Sequence, residues 1–320
     1  MSTVVIAVGG NAVLTVGEQG TYEQQLAHMA SLAKVLSDLA EDGHRVVLTH
    51  GNGPQVGNLA IQQEEGAGLV PPQPLFVLGA MTQGQMGHLM TAALGGDRAA
   101  LRQPVAAIVT HALVDLSDPA FHRPTKPIGP FYPRYEAERL ARERHWTMTE
   151  DAGRGWRRVV PSPEPQGLLE ADAIRTLVEA GFMVVASGGG GIPVAREGAG
   201  IHGVNAVIDK DLSAQRLASA VDADTLVLLT GVDHVWLGFG TPDQRAVDSM
   251  TADEASEHLA NGEFPPGSMG PKVTAAIRFV RSGGERAVVT SPSCLREALA
   301  GRVGTRIIPG RVPAAAERQP

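Results

Sequence analysis

Short apolar runs, each closed by glycine or a turn-forming residue, alternate with amphipathic stretches along nearly the whole chain. Thr3 to Val8 runs into Gly9 and Gly10, and Arg45 to Thr49 runs into His50-Gly51-Asn52-Gly53. Runs this apolar read as strands buried on both faces. Val105 to Thr110, Phe182 to Ser187, Val204 to Ile208, Thr225 to Thr230 and Arg286 to Thr290 read the same way. Helix signals fall between them. Thr21 and Gln24 have capping-box spacing ahead of a stripe of Leu26, Ala30, Ala33 and Leu36, and Gly43 closes that segment. Pro54 suits the first turn of another helix, Thr251 and Glu254 form a second capping box, and Val273, Ala276, Ile277 and Val280 mark one face of a helix starting near Gly270. The alternation predicts an α/β fold, a three-layer α/β/α sandwich with a mostly parallel central sheet.

One stretch breaks the rhythm. Between Asp115 and Pro165 lie eight prolines, a group of arginines and several Trp and Tyr residues on irregular spacing. That is too long for a simple connection. It predicts a protruding inserted subdomain, a lid at about residues 115–165, within a single domain spanning 1–320.

Composition narrows the function classes. With 43% hydrophobic residues in 320, the chain can bury a substantial core. No apolar run approaches the roughly 18 to 20 residues of a membrane span, and the start lacks the basic and apolar regions of a signal peptide. A soluble, cytoplasmic protein with no membrane partner is expected. The single Cys294 excludes an internal disulfide or a CxxC site, and a net charge of -7 argues against a nucleic-acid partner.

Among the 38 glycines, four clustered turns stand out: Gly9-Gly10-Asn11, Gly51-Asn52-Gly53, Gly188 to Gly191, and Gly267 to Lys272. Loops at the carboxyl ends of parallel strands share one edge, where glycine lets backbone N–H groups approach an anion. No Gly-Lys pair occurs, which excludes a P-loop. Gly51, Gly53 and Gly57 resemble a dinucleotide fingerprint, but the expected ribose-binding acid is missing from the region around Pro71 to Pro74. Lysine is scarce: Lys34, Lys126, Lys210 and Lys272 stand against 23 arginines. Lys210 ends an apolar run, Lys272 opens a helix at a Gly-Pro turn, and Lys126 lies in the proline-rich insertion. Compact ammonium charges in such places suit phosphoryl transfer, where negative charge spreads over the transferring oxygens. Asp209 and Asp211 flank Lys210, and either can orient ammonium groups or cap the following helix; Asp211 is the favoured orienting residue.

The segments VVIAVGGNAVL, VVLTHGNGPQVGNL, GAMTQGQMG, PTKPIGPFY, EDAGRGWRRVVPSP, VVASGGGGIPV, VIDKDL and FPPGSMGPKVTAAIRF resemble those of carbamate kinases in the amino acid kinase family. They are spread over most of the chain, from Val4 to Phe279. The resemblance implies reversible phosphoryl transfer between carbamoyl phosphate with ADP and carbamate with ATP, in a Mg²⁺-dependent homodimer serving arginine metabolism. It assigns catalytic roles to Lys210, Lys272, Asp211 and Lys126. It assigns nucleotide binding to Gly9, Gly10, Asn11, Asp233, Val235, Met269 and Lys272, and substrate binding to Gly51, Asn52, Gly53 and Lys126. Mg²⁺ is expected on nucleotide phosphates and water, with no protein metal ligands. Two departures stand out. Ala7 occupies the place of a first-strand lysine found elsewhere in the wider family, as it does in carbamate kinases. LTGVDHVW differs from the usual nucleotide-base loop at Gly231, His234 and Trp236. A kinase for another small carboxylate and a silent nucleotide sensor are the alternatives.

Overall fold

The computed structural model describes residues 2–9, 18–95, 103–151 and 153–310. In chain order, β1 (Thr3–Val8) is followed by α1 (Tyr22–Glu41), β2 (Arg45–His50), α2 (Gly53–Gly66), α3 (Leu75–Gly95), β3 (Val105–Ala107) and β4 (His111–Leu113). Next come β5 (Lys126–Tyr132), α4 (Arg134–Arg144), β6 (Thr147–Glu150), β7 (Trp156–Val160), β8 (Gly167–Leu168), α5 (Ala171–Glu179), β9 (Met183–Val185), β10 (Ile192–Glu197) and β11 (Gly200–Gly203). The chain continues through α6 (Lys210–Ala220), β12 (Thr225–Leu229), β13 (Val235–Leu237), β14 (Arg245–Val247), β15 (Ser249–Thr251) and α7 (Ala252–Ala260). It ends with α8 (Met269–Arg281), β16 (Arg286–Thr290), α9 (Leu295–Leu299) and β17 (Thr305–Ile308).

The central sheet has eight strands in the order β15-β17-β16-β12-β1-β2-β9-β3, and all neighbours are parallel except β16 and β17. Its side chains sort by the period of two that a strand imposes. Val5, Ala7, Val47, Leu226 and Leu228 pack with Ile174 of α5, Leu217 of α6 and Val273 of α8. Val4, Ile6, Val46, Leu48 and Val227 pack on the opposite face with Met29 of α1, Met86 of α3 and Leu295 of α9. Both faces are covered, as the apolar runs require, and the result is the expected three-layer sandwich.

Local signals account for several helix ends. Both capping boxes form, Thr21 with Gln24 and Thr251 with Glu254. Gly43 takes φ +89° just past α1, a conformation glycine adopts freely. The buried stripe of α1 is Gln25, Met29, Leu32, Ala33, Leu36 and Leu39, so the predicted Ala30 instead faces solvent. Two further expectations change. Val204 to Ile208 is not a strand: Val207 N–H donates to Pro161 O at 3.0 Å, and the segment leads into the cap of α6. Helix α3 was not legible as a helix because its apolar residues run around its circumference, leaving Met81 exposed beside buried Leu78 and Thr82.

Within the irregular stretch, β5, β7 and β6 form a separate antiparallel sheet in that order, with α4 joining β5 to β6. Pro127 and Pro130 lie in β5, an edge strand of this small sheet, where a missing N–H is tolerated. Ile128 and Val160 pack against Val56 of α2 and Leu75 and Leu78 of α3, a small apolar cluster apart from the two main cores. No helix among the described residues is long and apolar enough to cross a membrane.

Candidate functional site

Parallel pairing brings the carboxyl ends of β1, β2, β9, β12 and β16 to one edge of the sheet. Helices α6 and α8 lead back toward β12 and β16, so their first turns lie at the same edge. Lys210 and Asp211 are the first two residues of α6, and Lys272 lies in the first turn of α8. A helix N-terminus already carries partial positive charge, so ammonium groups placed there are unfavourable unless anions accompany them.

The accompanying anion within the chain is Asp211. Its Oδ1 accepts from Lys210 Nζ at 2.8 Å and its Oδ2 from Lys272 Nζ at 2.9 Å. The Asp211 side chain is 5% exposed, Lys210 15% and Lys272 11%. Burial opposes the charged carboxylate, but Lys210 and then Lys272 outweigh it and hold Asp211 down at about 2. Burial pushes Lys210 below the usual lysine range, against the pull of Asp211.

Asp209 is the second anion. Its Oδ1 accepts from Asp211 N–H at 2.9 Å as the N-cap of α6, and its Oδ2 accepts from Lys126 Nζ at 2.8 Å. The two acids of VIDKDL therefore divide the roles that the sequence left open: Asp211 orients two lysines, while Asp209 caps the helix and engages the third. Lys126, carried by the insertion, thus meets Asp209 at this edge.

The glycine turns do less with their amides than the sequence suggested. Gly51 N–H is taken by Val8 O at 2.9 Å, and Asn52 Nδ2 donates to Thr82 Oγ1 at 2.8 Å; Gly53 opens toward solvent at the start of α2. In the run from Gly188 to Gly191, the N–H groups of Gly190 and Gly191 bond within the turn. The need for glycine there is close packing. A Cβ on Gly188 would stand 2.3 Å from His50 Nε2, and one on Gly189 2.2 Å from Asn52 Nδ2. The turn after β9 is thus a seat for the side chains of the turn after β2. Gln83 fixes it from α3, donating to Gly188 O at 3.0 Å and Thr110 O at 3.1 Å.

His50 and Gln83 were not singled out in the sequence; the only signal for His50 was its place at the end of an apolar strand. His50 is 1% exposed, and its Nδ1–H donates to Gly51 O at 3.0 Å. Burial pushes its imidazole down to about 4; the hydrogen bond to Gly51 works the other way and Lys210 adds to the burial.

The remaining nucleotide candidates are spread around the edge. Gly9 follows β1, and a Cβ added there would stand 3.3 Å from Leu229 O at the end of β12. Met269 opens α8 three residues before Lys272. Asp233 is exposed and accepts from Cys294 Sγ at 3.5 Å; hydrogen bonds from Ser291 and Cys294 hold its carboxyl below the usual range. Val235 is wholly buried and its N–H donates to Thr305 Oγ1 at 2.8 Å, so its side chain packs the interior and does not face open space. His234 accepts from Gly304 N–H at 3.2 Å. Gly10 and Asn11 lie outside the described residues.

A profile described as the amino acid kinase family matches residues 2–291. The chain belongs to that family. Its relatives place it in the carbamate kinase branch. A protein of Thermococcus kodakarensis named carbamate kinase is 50% identical over 313 residues, covering 96% of this chain and 99% of that one. One of Pyrococcus horikoshii with the same name is 46% identical over 310 residues, covering 96% and 99%. Among solved structures, carbamate kinase from Giardia lamblia bound to AMP-PNP has a TM-score of 0.90 and 43% identity, covering 97% of this chain and 99% of that chain. This kinase is accordingly a phosphotransferase.

Two tests follow from the packing. Gly188→Ala should destabilise the fold by about 1–3 kcal/mol, because the new methyl must displace the buried His50 ring. In denaturant unfolding, Gly188→Ala combined with His50→Ala should cost less than the sum of the single changes; strict additivity would show that the ring does not press on this glycine. The second test concerns pH. His50 is held neutral in the fold, so as pH falls from about 6.5 toward 4 the unfolded chain takes up a proton that the folded chain refuses. Stability is lost through that window and regained above it. A His50→Gln variant should show a shallower fall than the parent over the same window, and parallel curves would remove His50 as the cause.

Proposed function

We propose that this kinase transfers the phosphoryl group of carbamoyl phosphate to ADP, giving ATP and carbamate, and runs the reverse reaction as well. The observation that carries the reading is the single carboxylate of Asp211 gripping Lys210 and Lys272 at the sheet edge. It holds two ammonium groups in fixed positions where charge develops. The relatives named carbamate kinase supply the acceptor.

In this mechanism a terminal phosphate oxygen of ADP attacks the phosphorus in line. The bond from phosphorus to the carbamate oxygen breaks, and carbamate departs with the electron pair. Lys210 and Lys272 stabilise the oxygens of the phosphoryl group in passage, and Asp211 orients both. The resemblance assigns Gly9, Gly10 and Asn11 to the nucleotide phosphates, Asp233, Val235 and Met269 to the nucleotide, and Gly51, Asn52 and Gly53 to carbamate; the side chain of Val235 is itself buried. No protein nucleophile is required. Cys294, which donates to Asp233, has no part in the transfer.

Mg²⁺ belongs with the nucleotide as part of the substrate. Among the described residues no three acidic, His or Cys side chains gather to hold a metal. The oxygens of Asp209 and Asp211 already accept from Lys126, Lys210, Lys272 and a backbone N–H. This donor set suits a cation that arrives on phosphate oxygens and water.

The small sheet of β5, β6 and β7 with α4 acts as a lid carrying Lys126. Lys126 on Asp209 ties it to the body, and closure over substrate would exclude water and bring the ammonium into a less polar setting. The enzyme works in the cytoplasm as a homodimer, with carbamoyl phosphate linked to arginine metabolism. The exposed side of α3 around Met81 is a suitable face for the second copy.

The purified protein with Mg²⁺ and ADP should form ATP from carbamoyl phosphate and use acetyl phosphate poorly. Ready phosphorylation of N-acetylglutamate or aspartate, with carbamoyl phosphate inert, would overturn the assignment. Lys210→Ala and Lys272→Ala should each lower kcat and kcat/KM together by roughly 10²- to 10³-fold while the protein stays folded. Near-native turnover in either variant would remove that lysine from the mechanism.

A further inference from the structure

We propose that Asp209 is a positioning residue for Lys126, tying the inserted sheet to the first turn of α6. The proposal rests on the function above for its kinetic consequence, but its structural content stands separately. Asp209 ends a short irregular segment that touches the insertion twice. Val207 N–H donates to Pro161 O at 3.0 Å, immediately after β7, and Asp209 Oδ2 accepts from Lys126 at the start of β5 at 2.8 Å. Lys126 and Val160 are cross-strand partners, so both contacts hold the same end of the small sheet.

Capping alone does not explain a carboxylate here. One neutral acceptor oxygen caps a helix, and Asn or Ser serves as well as Asp. Asp209 spends Oδ1 on that task and has Oδ2, with the charge, left for Lys126. The ammonium donates one of its three N–H groups to Asp209, leaving two for phosphate oxygens. Lys126 can therefore remain on Asp209 while it meets substrate. Another tie between the insertion and the body, the cluster of Val56, Leu75, Leu78, Ile128 and Val160, is small and apolar and sets no direction for the lysine. Asp209 supplies that direction. Its neighbour Asp211 sets Lys210 and Lys272, so one turn of helix α6 places all three cations.

Asp209→Asn keeps a capping oxygen and removes the charge. Hydrogen exchange should quicken across residues 126–132 and 156–160 while α6 keeps its protection. The pair is partly exposed, at 35% for Lys126 and 17% for Asp209. A modest effect is therefore expected: KM for carbamoyl phosphate raised roughly 3- to 10-fold, kcat changed less, and KM for ADP unchanged. Asp209→Asn added to Lys126→Ala should cost nothing further in KM. Asp209→Ala, which removes the cap as well, should loosen α6 in addition. Unchanged exchange in the small sheet of Asp209→Asn, or effects of Asp209→Asn and Lys126→Ala that multiply independently, would overturn the proposal. If the parent protein forms no ATP from carbamoyl phosphate, the assigned function fails, while the exchange comparison still decides the tether.

Discussion

Everything at the sheet edge depends on one buried carboxylate. Lys210 and Lys272 come from different helices, and each ammonium loses water where it sits. Two such cations do not share a site without an anion between them, since burial and mutual repulsion both favour the neutral form. Asp211 removes the conflict by accepting from both. In return the lysines keep the acid ionised well below ordinary pH. The net result is one positive charge, which an incoming phosphate meets without the site having to reorganise.

The sheet makes this arrangement possible and then constrains its surroundings. Helices α6 and α8 lie side by side on one face of the sheet, with Leu217 and Val273 in the same core as Ala7 and Leu228. Their starts are held at one level because each must run back to a parallel strand. At the same edge, the turns after β2 and β9 are packed so closely that His50 and Asn52 occupy the space where Gly188 and Gly189 would carry a side chain. The glycine run was attractive as an anion cradle in the sequence. In the fold its first two members are fixed by side-chain packing, and the last two meet Ile208 O and Ala112.

What the sequence revealed and what it hid follow from the range of the interactions. Capping boxes and the apolar runs of β1, β2, β12 and β16 are local, and Thr21, Thr251 and the strand limits came out almost residue for residue. Helix α3 carries apolar residues on all sides and has no period to read. Val204 to Ile208 has the composition of a strand, but Pro193 O takes the N–H of Val204 and Pro161 O that of Val207, and no strand forms. The lysines were visible as scarce residues in odd places. Their grouping was not, since Lys126 and Lys272 are far from Asp209 and Asp211 in the chain, and only tertiary packing decides which acid meets which lysine. Val235 shows a further limit: a residue carried over from a motif has its side chain in the interior, which no motif reveals.

The contrast between Ala7 and Lys126 bears on how such a site can be regulated by its own geometry. Ala7 is the last residue but one of β1, wholly buried, where a side chain is fixed by the rigid centre of the sheet. A cation at that position would be present in every arrangement of the protein. Lys126 instead stands at the first residue of β5, on a small sheet seated by a minor apolar cluster and an ion pair. Under the proposed function, moving the third cation from the core to the insertion makes part of the electrostatic stabilisation conditional on where that insertion lies. Charge is then completed at the moment the site is covered. An open site, with water present, lacks the full set of cations that would favour phosphoryl transfer to water.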